Sequence, residues 1–312
     1  MLILDAAQTA RALPWGPLTT ALQRTLADHA AGRVQAPERW VLPVAPGTSW
    51  FLMPAWLAPE AGDLAAIKLI TYAAANAARG LPAILGDVLV MRASTGQRLA
   101  LLDGPTVTAR RTAAVTLLAA QHLAAQPQGP LLLIGTGVQA MSHLQALAAG
   151  CGVREFWVRG RTPQRSRDFV QAALADAELQ QHPGLIVRPA DDLADALARC
   201  PLVVTVTPAQ APCLDGPVRP DAFVAAIGAF TPTMIELAPA LTRQLAASGA
   251  VVIDSAAARD EAGDLLAAGL ALDALPTLAE ALQQPRPGGS VLFKSCGAAL
   301  WDLAAARCAV AA

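Results

Sequence analysis

From Gly129 to about Pro287 the chain alternates short unbroken apolar runs with stretches whose apolar positions recur at helical spacing. The runs are LLLIG (131–135), EFWV (155–158), LIVRP (185–189), PLVVTVT (201–207), AFVAAIG (222–228) and AVVIDS (250–255). Helices are predicted from Val138 through Ala149, over Gln164–Ala177 and over Asp191–Cys200. Strands without polar alternation are covered on both faces, and their interleaving with helices predicts a parallel, doubly wound sheet.

The first 110 residues read differently. A helix at about Leu18–Ala31 precedes RWVLPV, SWFLMPAW, LAAIKLITY, DVLVMRAST and QRLALLDG, parted by Gly-Asp, Thr-Gly and Asp-Gly turns. That pattern predicts an α+β region with a mainly antiparallel sheet. A helix from about Thr108 to Ala125 leads onward, and the helical LWDLAAARCAV segment is expected to return to the first region. The expected division is therefore 1–110 plus 296–312 around an insert, 111–295.

Within the insert, LLLIGTGVQA (131–140) carries the most chemistry. A buried strand that turns through glycines into a helix gathers backbone N–H groups at a helix N-terminus, a site suited to a pyrophosphate. Gly135 allows the tight turn, Gly137 allows close approach, and Ala140 lets the helix pack on the strand. Gly135, Thr136, Gly137, Val138 and Gln139 are thus candidate cofactor contacts in a Rossmann-type sheet. The adenosine ribose is read about 20 residues past the glycines. There the chain has Arg159, Gly160, Arg161 and Thr162, with Arg165 nearby and no carboxylate. Arginines suit a 2′-phosphate, so NADPH is expected, with NADH possible. Thr205 and Thr207 are candidates for the ribose or nicotinamide side.

Composition narrows the classes. Of 312 residues 54% are hydrophobic and 15% charged, which excludes disorder, and the net charge of −1 without a basic block excludes a nucleic-acid partner. MLILDAAQTA lacks the features of a signal peptide, and no apolar window of about 18 residues predicts a membrane span. The five cysteines form no CxxC pair and the four histidines no HxxxH spacing, so buried thiols in a cytoplasmic protein are expected, without disulfides or metal. Of 23 basic residues only Lys68 and Lys294 are lysines. In so arginine-rich a chain, a retained lysine marks a place where a guanidinium does not substitute.

In sum, these segments resemble the ornithine cyclodeaminase/mu-crystallin family over nearly the whole chain. The matching stretches are PERW, LMPAW, IKLITY with Lys68 and Asn76, GLP, STGQRLALLDG, TARRTAA, IGTGVQA, GRT, VTVTP, IGAFTPTMIEL and LFKSCGAALWDLAAA. The resemblance implies a substrate-binding and dimerisation domain holding the nucleotide domain as an insert, a cleft between the two, a homodimer, and a small 2-amino or 2-imino acid substrate. It implies that Arg39, Lys68 and Arg111 hold the substrate carboxylate, a task for which guanidiniums and an ammonium are suited. Arg111 is also a candidate cofactor contact, and lies near the expected helix start, where the dipole disfavours a cation without an anion nearby.

Family cyclodeaminases read GAD where this chain reads Gly228-Ala229-Phe230. Phenylalanine carries no proton, and Glu236 is expected at a helix start. The GAFTP wording resembles the branch that reduces the cyclic imino acids Δ1-pyrroline-2-carboxylate and Δ1-piperideine-2-carboxylate, with Phe230 packed on the ring and Lys68 as a candidate proton source. Ser295 and Lys294 are expected to line the cofactor pocket, and Asp302 to orient the cations. The alternatives are a cyclodeaminase or amino-acid dehydrogenase, and a non-catalytic binding protein of the crystallin type.

Overall fold

The computed structural model describes residues 1–311. It divides into two compact units, 1–115 with 298–312, and 116–297. The first boundary falls inside a continuous helix and not at 110, and the second falls past the expected 295.

In the first unit the strands are β1 (Leu2–Leu4), β2 (Val34–Gln35), β3 (Trp40–Ala45), β4 (Thr48–Leu57), β5 (Ala65–Ala73), β6 (Ile84–Met91) and β7 (Arg98–Asp103). They form one sheet in the order β1-β7-β6-β5-β4-β2, with β3 also on β4. All pairs are antiparallel except β1 with β7. Three helices belong with it: α1 (Ala6–Ala12), α2 (Trp15–Ala30) and the start of α3 (Gly104–Leu123). α1 begins at a reciprocal cap in which the Asp5 carboxylate accepts from Gln8 N–H. This helix and β1 were not legible in the hydrophobic pattern. α3 starts at Gly104 and not near Thr108, so Arg111 sits beyond the first turn, where the helix dipole no longer weighs on it.

The second unit holds β8 (Leu131–Ile134), α4 (Val138–Gly150), β9 (Glu155–Arg159), α5 (Pro163–Leu174), β10 (Ile186–Pro189), α6 (Leu193–Arg199), β11 (Leu202–Thr205) and β12 (Phe223–Ala226). It continues with α7 (Pro239–Ser248), β13 (Gly249–Ile253), the short α8 (Ala258–Glu261), α9 (Gly263–Ala267) and α10 (Leu278–Ala281), and β14 (Ser290–Lys294). Its seven strands are all parallel, in the order β10-β9-β8-β11-β12-β14-β13. β8, β11, β12 and β14 are buried throughout, as unbroken apolar runs require. β14 is the correction here. The parallel series does not end near Pro287; SVLFK wedges between β12 and β13 and joins Lys294 to the sheet. The chain then returns to the first unit as α11 (Ala299–Ala311). Among the described residues no helix is long and apolar enough to cross a membrane.

Candidate active site

β5 alternates in an unusual sense. Its lysine points to the covered face, 1% exposed, while Ile67 and Leu69 on the opposite face are 36% and 44% exposed. A strand normally buries its apolar residues and exposes its charges. Lys68 faces α11, where its Nζ lies 2.9 Å from each carboxylate oxygen of Asp302. Arg111 of α3 approaches the same carboxylate, with Nε 3.2 Å from Asp302 Oδ1. Asp302 is fully buried, as the orienting role expected of it requires.

Two cations thus share one anion, and the trio carries one surplus positive charge out of water. Burial pulls the Lys68 pKa down to about 8, against the pull of Asp302 in the other direction, and Arg111 and Arg39 add to the lowering. Arg39 therefore belongs to the same field; its guanidinium also lies 5.7 Å from the centre of the Phe51 ring. Residues 39, 68 and 111, far apart in sequence, are brought together in one unit. A buried surplus of positive charge calls for an anionic ligand.

The second site lies in the other unit, around the β8–α4 turn. Gly135 has φ of +132°, and a Cβ there would lie 2.7 Å from Val206 Cγ2. Only glycine fits. Gly137 differs: its φ is −98° and a Cβ would meet nothing within 4 Å. Neither torsion nor packing requires glycine at that position, which leaves open space over the first turn of α4. No side chain caps that turn, so its N–H groups face the space. This is a cradle that fits a pyrophosphate.

The cradle opens into a cavity of about 750 Å³ lined by Gly135, Thr136, Gly137, Arg159, Gly160, Arg161, Arg165 and Thr207, with the Val206–Ala211 stretch and Cys213 as one wall. No carboxylate lines it. Arg159 is anchored, donating to the carbonyls of Ala190 and Asp191 at 3.0 and 2.9 Å, which leaves Arg161 and Arg165 as the exposed guanidiniums. Val138, Gln139, Thr162, Thr205 and Ser295 are not among the lining residues. Val138 is 71% exposed at the helix start, and Thr162 caps α5 by accepting from Arg165 N–H. Thr205 is buried, and the Ser295 hydroxyl donates to Asp254 at 2.7 Å. Phe230 is partly buried against the core of the second unit.

Two further expectations need correction. Glu236 does not start a helix; α7 begins at Pro239, and the Glu236 side chain is fully buried in a net of backbone donors. Lys294 does not line the cavity. It is fully buried, 2.7 Å from Asp264 Oδ2, and it donates to the Ala229 carbonyl at 2.6 Å. Both lysines of the chain are thus interior cations, each facing a buried aspartate.

A Rossmann-type α/β unit with an uncapped glycine turn, inserted in an α+β unit that buries two cations on one carboxylate, defines the class of this protein. The chain belongs to the ornithine cyclodeaminase/mu-crystallin family, whose model matches residues 3–310. It is 42% identical to Delta(1)-pyrroline-2-carboxylate reductase 1 of Burkholderia multivorans, covering 98% of this chain and 94% of that one. It is 41% identical to the Delta(1)-pyrroline-2-carboxylate/Delta(1)-piperideine-2-carboxylate reductase of Azospirillum brasilense, with the same coverage. Among solved structures, the fold matches Delta(1)-pyrroline-2-carboxylate reductase of Thermococcus litoralis with TM-score 0.88 at 23% identity, over 100% of this chain and 97% of that one.

Proposed function

We propose that this protein is an NADPH-dependent oxidoreductase that reduces cyclic ketimines, taking Δ1-pyrroline-2-carboxylate to L-proline and Δ1-piperideine-2-carboxylate to L-pipecolate. The observation that carries the reading is the buried Lys68–Asp302–Arg111 trio, whose surplus positive charge suits the carboxylate that both imines bear. The relatives at 41–42% identity named for these reactions support it.

The nicotinamide, when bound, supplies the hydride. Lys68 and Arg111, with Arg39, hold the carboxylate, and this anchoring orients the adjacent C=N bond. Gly135–Gly137 and the first turn of α4 hold the pyrophosphate. A cyclic imine takes up a proton readily, so no strong acid is required of the protein, and Phe230 supplies none where family cyclodeaminases carry aspartate. The assay that tests this reading follows NADPH oxidation with each cyclic imine, beside ornithine with NAD. Turnover of ornithine alone would overturn it.

Arg161 and Arg165 support NADPH over NADH, because guanidiniums pair with a 2′-phosphate and the cavity presents no carboxylate to a 2′-hydroxyl. Arg161→Ala is expected to raise KM for NADPH by about tenfold while leaving use of NADH nearly unchanged, as loss of one charge-assisted contact does. Equal effects on the two nucleotides would refute the assignment.

We also infer a homodimer. Trp40, Leu42, Trp50, Trp56, Ile67, Leu69 and Leu85 are exposed along β3–β6, and the strand registers place them on one face. An apolar surface of that kind calls for a partner. Leu69→Glu is expected to halve the mass seen by light scattering; an unchanged mass counts against this face.

A further inference from the structure

The buried carboxylate of Glu236 is used by none of the steps above, yet it touches two segments at the carboxyl ends of the central strands. Its Oε1 accepts from Thr207 N–H at 2.6 Å and from the Thr207 hydroxyl at 3.0 Å. Its Oε2 accepts from Gly228 N–H at 2.6 Å and Ala229 N–H at 3.1 Å. The main chain of the same residue closes the other end of the loop: Glu236 C=O accepts from Cys213 and Leu214 N–H at 2.7 and 2.9 Å. One residue therefore pins both ends of the 207–213 loop, which forms a wall of the nucleotide cavity.

Behind it stands a second layer. Asp264 Oδ1 accepts from Glu236 N–H and Leu237 N–H at 2.6 and 2.9 Å, while its Oδ2 faces Lys294. The segments it joins leave little room, since a Cβ on Gly228 would lie 2.2 Å from Thr207 N. The chain thus takes fully buried charge into its interior to hold backbone, an arrangement of high desolvation cost offset here by the donors on both Glu236 oxygens and by the Lys294–Asp264 ion pair.

We propose that Glu236, backed by Asp264 and Lys294, is a positioning residue for the dinucleotide: it sets the 207–213 wall and thereby the affinity for the cofactor. The proposal rests on the dinucleotide reading above. It is specific to a carboxylate, because both oxygens carry two donors each. A glutamine of equal size offers one acceptor oxygen and turns an N–H₂ group toward N–H donors.

Titration of the purified protein with NADP⁺ tests it without turnover. Glu236→Gln is expected to raise Kd about tenfold or more, as loss of charge-assisted hydrogen bonds does. Amide exchange is expected to quicken at Thr207, Gly228 and Ala229. Leu245→Ala, a core truncation on α7 that removes none of these hydrogen bonds, should lower Tm without changing Kd. If Glu236→Gln fails to fold, Glu236→Asp keeps the charge but lacks the reach, and a rise of about threefold is expected. Kd values equal to that of the unaltered protein in a folded variant, or a rise matched by Leu245→Ala, overturn the proposal alone. Absence of any binding by the unaltered protein overturns the dinucleotide reading and this proposal with it.

Discussion

Lys68→Ala and Arg111→Ala are each expected to lower kcat/KM for the cyclic imines by about two to four orders of magnitude, because in the proposed reading each removes a charged contact that would both bind and orient the carboxylate. KM is expected to carry most of the loss if the anchor acts equally before and during hydride transfer, and kcat to fall as well if orientation dominates. The lysine adds a pH signature. Burial pulls its pKa down to about 8, so KM for the imine should rise as pH passes about 8, and that inflection should vanish in Lys68→Ala. Unchanged kinetics in both variants would remove the carboxylate anchor from the mechanism.

Asp302→Ala is expected to cost about 3–5 kcal/mol in denaturant unfolding at neutral pH, since it leaves Lys68 and Arg111 buried without their shared counter-charge. The sign of its pH dependence follows from the lysine. A lysine whose folded pKa is depressed binds fewer protons in the native state than in the unfolded chain, so its penalty is full below the folded pKa and fades as pH rises toward the unfolded value of 10.5. Without Asp302 the folded pKa falls further. The variant should therefore recover stability relative to the unaltered protein as pH rises toward about 8, above which the lysine penalty fades alike in both proteins, and Lys68→Met in the same background should restore part of the loss. A cost under about 1 kcal/mol would show that the aspartate is not the counter-charge of a buried cluster.

Much of the second unit was legible because its physics is local. Runs such as LLLI and LVVT contain no polar position, and only a strand covered on both faces tolerates that pattern. The glycine turn was equally legible, because Gly135 answers to a torsion that other residues rarely adopt. β14 escaped because SVLFK ends in a lysine, and a lysine inside a fully buried strand runs against the usual rule. The same exception marks β5, where a charge is turned inward and Ile67 and Leu69 outward. Read together, the two inversions were a signal available in the chain: its only lysines both interrupt apolar strand patterns.

Glu236 shows the opposite case. Its position in an irregular segment gave no period to read, and its role exists only through the N–H groups of Thr207, Gly228 and Ala229. Arg159 is similar: its place in the chain pointed to a phosphate, but its guanidinium is held by two carbonyls.

The chain by itself determined the two-part architecture, the glycine turn, the arginines beside it and the rarity of lysine, because each depends on residue type and short-range spacing. The tertiary structure alone decided where β14 inserts, which carboxylate Lys68 and Arg111 share, and which loop ends Glu236 ties together. Those facts depend on groups tens to hundreds of ångströms of extended chain apart being packed out of water, where a charge must find its partner and no local pattern says which one it is.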